Sequence, residues 1–206
     1  MADVPTDHRW DDAAYVAEWV ATTPQLPHRT PILDALSSAL PDDARRVVEL
    51  GAGPGFLAEH LLAQHRAIDE YVLVDVSQPM HDLARERLAH EAVRVRHVDA
   101  DFRTPQWVDA VPHAVDAVVT LQAVHELRHA SRIPALHEQV HSILRPGGTF
   151  LVADLVNERA GERAHYLTTF EHLCVLLDAG FVDVDCVLDL GPIACVEALR
   201  APGAAQ

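Results

Sequence analysis

The chain has 206 residues, 49% of them hydrophobic, which is enough to bury the core of one domain. No run approaches the roughly 18 continuous apolar residues of a membrane span, and a formal net charge of −15 disfavours binding to the phosphates of nucleic acid. All 16 Lys and Arg residues are arginine, which excludes Schiff-base lysine chemistry and the lysine of a Walker A loop.

The N-terminus and the cysteines indicate the compartment. The first ten residues contain neither a basic segment nor an apolar segment, so we expect no secretory signal and a cytoplasmic location. The three cysteines, Cys174, Cys186 and Cys195, are too few and too odd in number for a disulfide framework. Their apolar surroundings predict buried thiols in a reducing compartment.

The N-terminal part of the chain is predicted to be helical. Asp11 or Asp12 can cap the segment AAYVAEWVA, and Thr30 can cap the segment PILDALSSAL. The two prolines of TTPQLPH, which lies between these segments, separate the two helices.

From residue 45 onwards, short apolar runs alternate with segments that have apolar residues at helical spacing. The runs that we predict to be strands are 45–50, 71–76, 93–98, 114–121, 149–156, 181–190 and 193–200. The helices predicted between them are 55–65, 78–90, 133–144 and 166–179. The last two strands are joined by a link too short for a crossover helix, so they should pair antiparallel.

This alternation predicts an α/β fold with a doubly wound, mostly parallel sheet that is covered on both faces. We expect a single domain over residues 1–206, in which residues 1–44 are N-terminal helices that form a lid and residues 45–201 are the α/β core. Ligands of such sheets bind beyond the carboxyl ends of the strands.

The strongest motif is VVELGAGPGF, in which a buried strand runs into the glycines Gly51, Gly53 and Gly55 and then a helix. Glycines allow close approach of the backbone to a ligand, and the N–H groups of a helix N-terminus face it. A plain tight turn is the alternative interpretation. The dinucleotide fingerprint needs glycine where this chain has Phe56, so a nicotinamide cofactor is disfavoured.

A second signal is Asp75, which closes the second predicted strand. A carboxylate at that place can accept hydrogen bonds from the hydroxyls of a ribose. Together with the glycine turn, Asp75 predicts a site for a nucleoside-type cofactor.

Four motifs in order, E-x-G-x-G-x-G after strand one, an acid after strand two, Asp-Ala after strand three and L-R-P-G-G before strand five, give the chain a family resemblance. From Val47 to Arg200 it resembles the class I S-adenosylmethionine-dependent methyltransferases of the bacterial small-molecule type. The resemblance implies a Rossmann-like sheet of seven strands in the order 3-2-1-4-5-7-6. It also implies S-adenosylmethionine as cofactor and S-adenosylhomocysteine as product.

The resemblance implies the following cofactor-binding residues. The residues expected against the methionine and ribose are Glu49, Gly51, Ala52, Gly53, Gly55 and Asp75. Those expected near the adenine are Val76, Met80, Asp99 or Asp101 as acceptor of its amino group, and Ala100 through its backbone N–H. Those expected beside the sulfonium are Leu121 and Gln122.

The acceptor side of the site is predicted less directly. His125 and Glu126 follow strand four, where the family places its acceptor, and His125 could take a proton from an acceptor hydroxyl or amine. The alternative is that both are ordinary loop residues. Four aromatic residues are candidates for the lid or the acceptor pocket, although the first three are also typical helix-packing residues: Trp10, Tyr15, Trp19 and Tyr166. His137 and His141, four apart on a helix, are expected on a solvated face.

A competing motif is the H-E-x-x-H sequence from His125 to His129, which on a helix would bind zinc. We disfavour it, because a short loop after a strand cannot form the long helix that such a site needs, and we predict no metal. The predicted function is transfer of a methyl group to an O, N or C nucleophile of a small molecule, by a monomer or homodimer. A non-catalytic module that binds S-adenosylmethionine and a zinc hydrolase are the alternatives.

Overall fold

The computed structural model describes residues 9–91, 94–157 and 166–203, and within these the chain forms one seven-stranded sheet. The strands are β1 (Arg46–Leu50), β2 (Glu70–Asp75), β3 (Arg94–Asp99), β4 (Val115–Leu121), β5 (Leu144–Leu155), β6 (Phe181–Asp189) and β7 (Ile193–Arg200). The order is β3-β2-β1-β4-β5-β7-β6, with β1 to β5 parallel and β7 antiparallel to both its neighbours. The predicted fold class and strand order are confirmed.

Helices cover both faces of the sheet. They are α1 (Ala13–Thr22), α2 (Arg29–Ala39), α3 (Phe56–Gln64), α4 (Gln78–Arg87), α5 (Trp107–Ala110), α6 (Ile133–Ile143) and α7 (Thr169–Asp178). Successive strand residues point to opposite faces, so Val47 belongs to an apolar cluster that includes residues of α2 and α3, while Val48 belongs to a second cluster that includes residues of α6 and α7. Strands buried on both faces explain the continuous apolar runs in the sequence. No helix among the described residues is long and apolar enough to cross a bilayer.

The N-terminal caps differ in one respect from the prediction. Asp12 caps α1, since its Oδ1 accepts hydrogen bonds from the N–H groups of Ala14 at 2.9 Å and Tyr15 at 3.2 Å. The prediction that Thr30 caps the next helix is wrong, because α2 already begins at Arg29. The Arg29 N–H donates to the carbonyl of Leu26 at 3.0 Å, and this bond starts the turn before Thr30 is reached.

The largest shift of a predicted boundary is at the start of β5. β5 begins at Leu144 rather than Thr149, because Leu144 already pairs with Val115 of β4. An irregularity in register between Val115 and Ala117 then accommodates the Pro-Gly-Gly segment of β5. Residue 93, where the third strand was predicted to start, lies outside the described residues.

The cysteines are free thiols. Cys195 is buried in β7, as predicted, while Cys174 and Cys186 are only half-buried. Burial raises the pKa of Cys195 to about 12, so this side chain stays a thiol at neutral pH.

The prediction of a solvated face is wrong for His137 and holds only in part for His141. His137 is fully buried, with its ring 5.5 Å from Phe150 and 6.1 Å from His172, because α6 turns this position toward the sheet. Neither of its ring nitrogens has a hydrogen-bond partner among the described residues. His141 is half-buried, with its ring against Phe181 at 5.1 Å.

Burial, together with the smaller effect of the nearby His172, lowers the pKa of His137 to about 3, so the folded chain binds fewer protons there than the unfolded chain. This contribution to stability is complete above the ordinary histidine pKa and is lost as the pH falls from about 6.5 toward 3. His137→Leu removes this pH dependence. We therefore expect the change that it causes in the free energy of unfolding to be more favourable at pH 5 than at pH 7.5, by about 2 kcal/mol. Urea unfolding at both pH values measures this.

The control is His90→Leu, at an exposed position, which should have the same effect at the two pH values. Equal effects of His137→Leu at pH 5 and pH 7.5 would contradict a neutral buried imidazole.

Candidate functional site

The glycine turn after β1 has a left-handed backbone. Gly51, Gly53 and Gly55 have φ of 64°, 54° and 80°, which strongly favours glycine. A Cβ on Gly51 would lie 2.3 Å from the Cβ of Ala123, so this glycine lets the turn pack against the loop after β4. A Cβ on Gly53 would meet nothing within 4 Å, so that position faces open space.

Asp75 connects the end of β2 to this turn. Its Oδ2 accepts a hydrogen bond from the N–H of Gly53 at 2.7 Å, and its Oδ1 accepts one from the N–H of Ser77 at 2.8 Å. Burial raises the pKa of Asp75, while the two N–H donors act in the opposite direction. The carboxylate is therefore held in place at the carboxyl edge of the sheet by backbone groups.

A cleft of about 270 Å³ opens above the turn. The predicted cofactor residues that line it are Glu49, Gly51, Ala52, Gly53, Asp75, Val76, Met80, Asp101, Leu121 and Gln122. Gly55 instead is the N-cap residue of α3 and packs on α4, where an added Cβ would lie 3.3 Å from the Cβ of Ala84. The carboxyl ends of three strands, β1, β2 and β4, thus bring together residues that lie far apart in the sequence.

The predicted adenine contacts need correction. The backbone N–H of Ala100 was predicted to contact the adenine. It instead donates to the carbonyl of Asp75 at 3.1 Å, as part of the β2–β3 pairing, so it is not available to a ligand. Asp101 lines the cleft, whereas Asp99 is exposed and lies outside that lining. Asp101 forms an ion pair with Arg103, with Nε to Oδ1 at 2.8 Å, and this pair lowers the pKa of Asp101.

Glu49 is almost fully buried at the floor of the cleft, and its Oε2 accepts a hydrogen bond from the hydroxyl of Tyr71 at 2.8 Å. Burial raises the pKa of Glu49 to about 8, although Tyr71 and the charge of Arg29 act to lower it. The side chain is therefore a neutral carboxylic acid at pH 7 and ionises just above it.

Because the folded pKa of Glu49 lies above its ordinary value, the folded chain holds this proton where the unfolded chain has lost it. Its stabilising contribution is lost as the pH rises from about 4.5 through 8. We expect Glu49→Gln to remove that loss and to raise the free energy of unfolding at pH 8.5, relative to pH 5, by a few kcal/mol (roughly 2–4). Urea unfolding across this range measures the effect.

The matched control is Glu59→Gln, whose side chain is half-exposed; it should leave the slope of stability against pH unchanged. If Glu49→Gln left the slope of stability against pH as it is in the wild type, Glu49 would have to be ionised in the folded protein.

Arg29 is a cleft residue that sequence reasoning missed. This side chain from α2 is only 7% exposed and lies with its guanidinium 5.3 Å from the ring centre of Phe56. Its Nη1 donates to Oε1 of Gln122 at 3.4 Å, and Arg87 lies against Phe56 at 4.0 Å. Phe56, the residue that breaks the dinucleotide fingerprint, thus packs two cations beside the glycine turn.

His125 lies in a single helical turn after β4, and it contacts a carboxylate at the end of β5. Its Nδ1 is 2.7 Å from Oδ1 of Asp154, and its backbone N–H donates to Oδ2 at 3.1 Å. Burial lowers the pKa of His125, but the charge and hydrogen bond of Asp154 and the charge of Glu126 outweigh this and raise it. Asp154 is a second residue that the sequence did not reveal.

Glu126 lines the cleft and connects it to the N-terminal segment. Its Oε1 accepts a hydrogen bond from the indole N–H of Trp10 at 3.4 Å and lies 3.7 Å from Nε2 of His125, and its Oε2 pairs with Arg128 at 3.2 Å. On the opposite side of the cleft, the hydroxyl of Ser77 donates to the carbonyl of Trp10. The segment that carries Trp10 therefore crosses the cleft and is held at both flanks.

Residues 47–148 match the sequence family described as “Methyltransferase domain”, and the fold and strand order are those that this family implies. Residues 47–148 thus form a methyltransferase domain, and the fold is that of the class I S-adenosylmethionine-dependent methyltransferases. The methyltransferase is 36% identical over 129 residues to an uncharacterised methyltransferase of Mycobacterium tuberculosis. That alignment covers 62% of this chain and 47% of the relative, so the chain spans about half the length of the curated protein that it matches.

Solved structures show the same fold at low identity. An O-methyltransferase family protein from Burkholderia thailandensis has a TM-score of 0.76 at 18% identity, covering 95% of this chain and 62% of that one. Human N-acetylserotonin methyltransferase, solved in complex with S-adenosylmethionine, has a TM-score of 0.72 at 18% identity, covering 96% and 60%.

In this methyltransferase the H-E-x-x-H sequence does not form a zincin helix. The segment consists of two short turns, Val124–Leu127 and Ala130–Arg132, separated by Arg128 with a φ of 63°. His125 contacts Asp154, whereas Nδ1 of the exposed His129 lies 2.7 Å from the hydroxyl of Ser131. Among the described residues no cluster of three metal-ligating side chains exists.

The predicted aromatic residues of the methyltransferase lie in three different settings. Trp10 and Trp19 both line the cleft and pack edge to face at 5.6 Å. Tyr15 instead supports Trp10, with ring centres 5.4 Å apart. Tyr166 has its ring 6.5 Å from His125.

Proposed function

We propose that the chain binds S-adenosylmethionine in the cleft and transfers its methyl group to a small-molecule nucleophile. The observation that carries this proposal is the pairing of Gly53 with Asp75. A Cβ on Gly53 would project into open space, so the backbone there leaves room for a ligand. Beside it lies Asp75, a buried carboxylate that the N–H groups of Gly53 and Ser77 hold in place. A plain tight turn would not need a buried carboxylate at its mouth, because burying such a charge is costly.

The residues present fit the two ends of this cofactor. Each oxygen of Asp75 accepts one N–H and keeps a second lone pair, which suits the two ribose hydroxyls. Arg29 and Glu49, at the floor of the cleft, suit the carboxylate and the ammonium of the methionine part. Because Glu49 ionises near pH 8, an ammonium beside it would favour the charged carboxylate.

The apolar part of the cleft suits the adenine. Val76 is 49% exposed, and Met80 and Phe102 line the same wall, so a flat ring would cover apolar surface that is now open. Asp101 lies at this end as an acceptor for the amino group.

When bound, S-adenosylmethionine supplies an electrophilic methyl group on a sulfonium, which leaves as a neutral thioether once the carbon–sulfur bond breaks. The protein then contributes mainly by positioning, which can supply several kcal/mol of the barrier. Trp10 and Trp19 wall the acceptor side and keep water away from it. Glu126 lines the cleft, whereas His125 is not part of its lining; His125, whose Nε2 lies 3.7 Å from Oε1 of Glu126, is the candidate proton acceptor. We expect the protein to act as a monomer or homodimer on a small molecule.

The first test compares two glycines that both have a left-handed backbone, one in the cleft and one at a solvent-exposed turn. Gly53→Ala would put a methyl group into the cleft, at a φ of 54°, whereas Gly191→Ala would put one into solvent at the β6–β7 turn, at a φ of 85°. Both carry the strain of a left-handed alanine, and neither Cβ meets an atom within 4 Å. We expect Gly53→Ala to weaken binding of S-adenosylhomocysteine at least about tenfold and Gly191→Ala to leave it unchanged.

Isothermal titration calorimetry with S-adenosylhomocysteine measures both affinities. No binding by the wild type, or equal affinity for the Gly53 variant and the wild type, would refute the cofactor site. Tight binding of S-adenosylmethionine without methyl release on any acceptor would favour the non-catalytic module instead.

A further inference from the structure

The main chain of Asp75 is held by a side chain that lies outside the cleft. Its carbonyl oxygen accepts a hydrogen bond from the N–H of Ala100 at 3.1 Å and lies 3.1 Å from Nε2 of His81. His81, on α4, is only 1% exposed and is not among the residues that line the cleft. A buried imidazole therefore supports the backbone of the residue whose carboxylate we assign to the ribose.

A second histidine holds the first. Nδ1 of His97, on β3, lies 3.2 Å from Nδ1 of His81, and the two rings meet edge to face with their centres 5.3 Å apart. His97 is half-buried and is likewise not part of the cleft lining. The contacts thus form a row that runs from β3 through α4 to the carbonyl at the end of β2.

The row determines where its protons lie. A carbonyl oxygen can only accept, so Nε2 of His81 carries a proton. Burial, together with the charges of His81 and Arg85, lowers the pKa of His97 to about 4, so at pH 7 this ring is neutral and has a single N–H. One proton then lies between the two Nδ1 atoms, donated by His97 if His81 is neutral and by His81 if it is charged. Both contacts of the row persist in either state.

Asp75 needs this support because it lies where the sheet ends. It is the last residue of β2 and pairs with Asp99, the last residue of β3. The ends of such elements open more readily than their interiors, since fewer bonds hold them. His81 lies in the first turn of α4, so its bond to the carbonyl ties that helix to the strand end.

We propose that His81, held by His97, is a positioning residue that fixes Asp75 for the two ribose hydroxyls and so contributes to the selection of a ribonucleoside cofactor. This proposal rests on the proposed function and adds two residues outside the cleft to it. The carboxylate of Asp75 is already directed by the N–H groups of Gly53 and Ser77. Because hydrogen bonds weaken steeply as their angle departs from linearity, a displaced main chain at Asp75 costs most for a ligand that bears both hydroxyls.

The first experiment compares two ligands that differ only in the ribose hydroxyls. Calorimetry is carried out with S-adenosylhomocysteine and with its 2′,3′-dideoxy analogue. We expect the wild type to bind the hydroxylated ligand at least about 30-fold more tightly. In His81→Leu we expect binding of S-adenosylhomocysteine to be about tenfold weaker and binding of the analogue to be nearly unchanged, so that the discrimination falls about tenfold.

Two further variants separate positioning from folding. His81→Gln keeps an N–H group near the place of Nε2 and should restore the affinity for S-adenosylhomocysteine to within about threefold of the wild type. His65→Leu is the matched control, because His65 is 7% exposed and its Nε2 lies 3.0 Å from the carbonyl of Ser37. His65 is not part of the cleft lining. Its replacement should lower the free energy of unfolding, as His81→Leu does, but leave both affinities unchanged.

An equal loss of affinity for the two ligands in His81→Leu would show that His81 acts only through the fold, and it would overturn the proposal. Loss of affinity in His81→Gln as large as in His81→Leu would do the same. If the wild type bound neither ligand, the proposed function itself would fail. Binding of S-adenosylhomocysteine with a discrimination that His81→Leu leaves intact would instead refute only the positioning role.

A second measurement needs no ligand. The full chain is labelled with ¹⁵N-histidine, and the two rings are assigned by the NMR signals that are lost in His81→Gln and in His97→Phe. We expect a proton on Nε2 of His81 and a scalar coupling between the two Nδ1 atoms across their hydrogen bond. An Nε2 of His81 without a proton in the wild type would overturn the proposal, even if the buried His81→Leu variant does not fold.

Discussion

Asp75→Asn is expected to weaken the binding of S-adenosylhomocysteine by roughly 30- to 100-fold, because it replaces the charged acceptor of two ribose hydroxyls by a neutral amide. The amide also brings a donor against the N–H of Gly53 or Ser77, which now point at the two carboxylate oxygens. Calorimetry with the demethylated product measures the effect without any knowledge of the acceptor.

A matched control is available at the opposite end of the sheet. Asp116 also uses its carboxylate to accept two backbone N–H groups, from Arg45 at 3.0 Å and Arg46 at 2.8 Å. Asp116→Asn should lower the free energy of unfolding as Asp75→Asn does but leave the affinity for S-adenosylhomocysteine unchanged. Equal loss of affinity in both variants would show that Asp75 acts only through the fold.

His125→Gln is expected to lower methyl transfer to a hydroxyl acceptor such as 2-naphthol by about 10²- to 10⁴-fold, the usual contribution of a proton acceptor. Affinity for S-adenosylhomocysteine should not change, because His125 is not among the residues that line the cleft. Steady-state turnover and calorimetry on the same preparations separate the two effects.

The same residue predicts the pH profile. The imidazole accepts a proton only when it is neutral, so wild-type turnover should fall as the pH drops through the pKa of His125. Asp154 and Glu126 raise that pKa above its ordinary value, although burial acts to lower it, so the fall should begin above about pH 6.5. In His125→Gln this limb of the profile should be absent.

His129→Gln is the control for this prediction, since His129 is exposed and its ring contacts Ser131. It should leave turnover unchanged. Full turnover in His125→Gln would contradict the role of His125. If instead both variants lost activity together with stoichiometric bound zinc, measured by elemental analysis, the zinc hydrolase would have to be reconsidered.

The sequence by itself predicted the strands of the sheet and the glycine turn at its carboxyl edge. Apolar runs such as Val72–Val74 are continuous and local, and the glycines of the turn are required by backbone geometry that no other residue adopts easily. Such signals are readable because their physical cause lies within a few residues. The family resemblance then supplied the strand order, which pairwise patterns alone do not specify.

Only the tertiary structure decided the acceptor side. In the sequence, Arg29 is separated from the glycine turn by the rest of α2 and by β1, and Asp154 is separated from His125 by α6 and most of β5. No local pattern therefore marks either residue as part of the site. Burial also depends on the packing of distant elements: Glu49 is a neutral acid and His137 a neutral base because the surrounding chain removes water from both. Residue type and spacing are local properties, whereas desolvation and contacts between strand ends exist only once the sheet has closed.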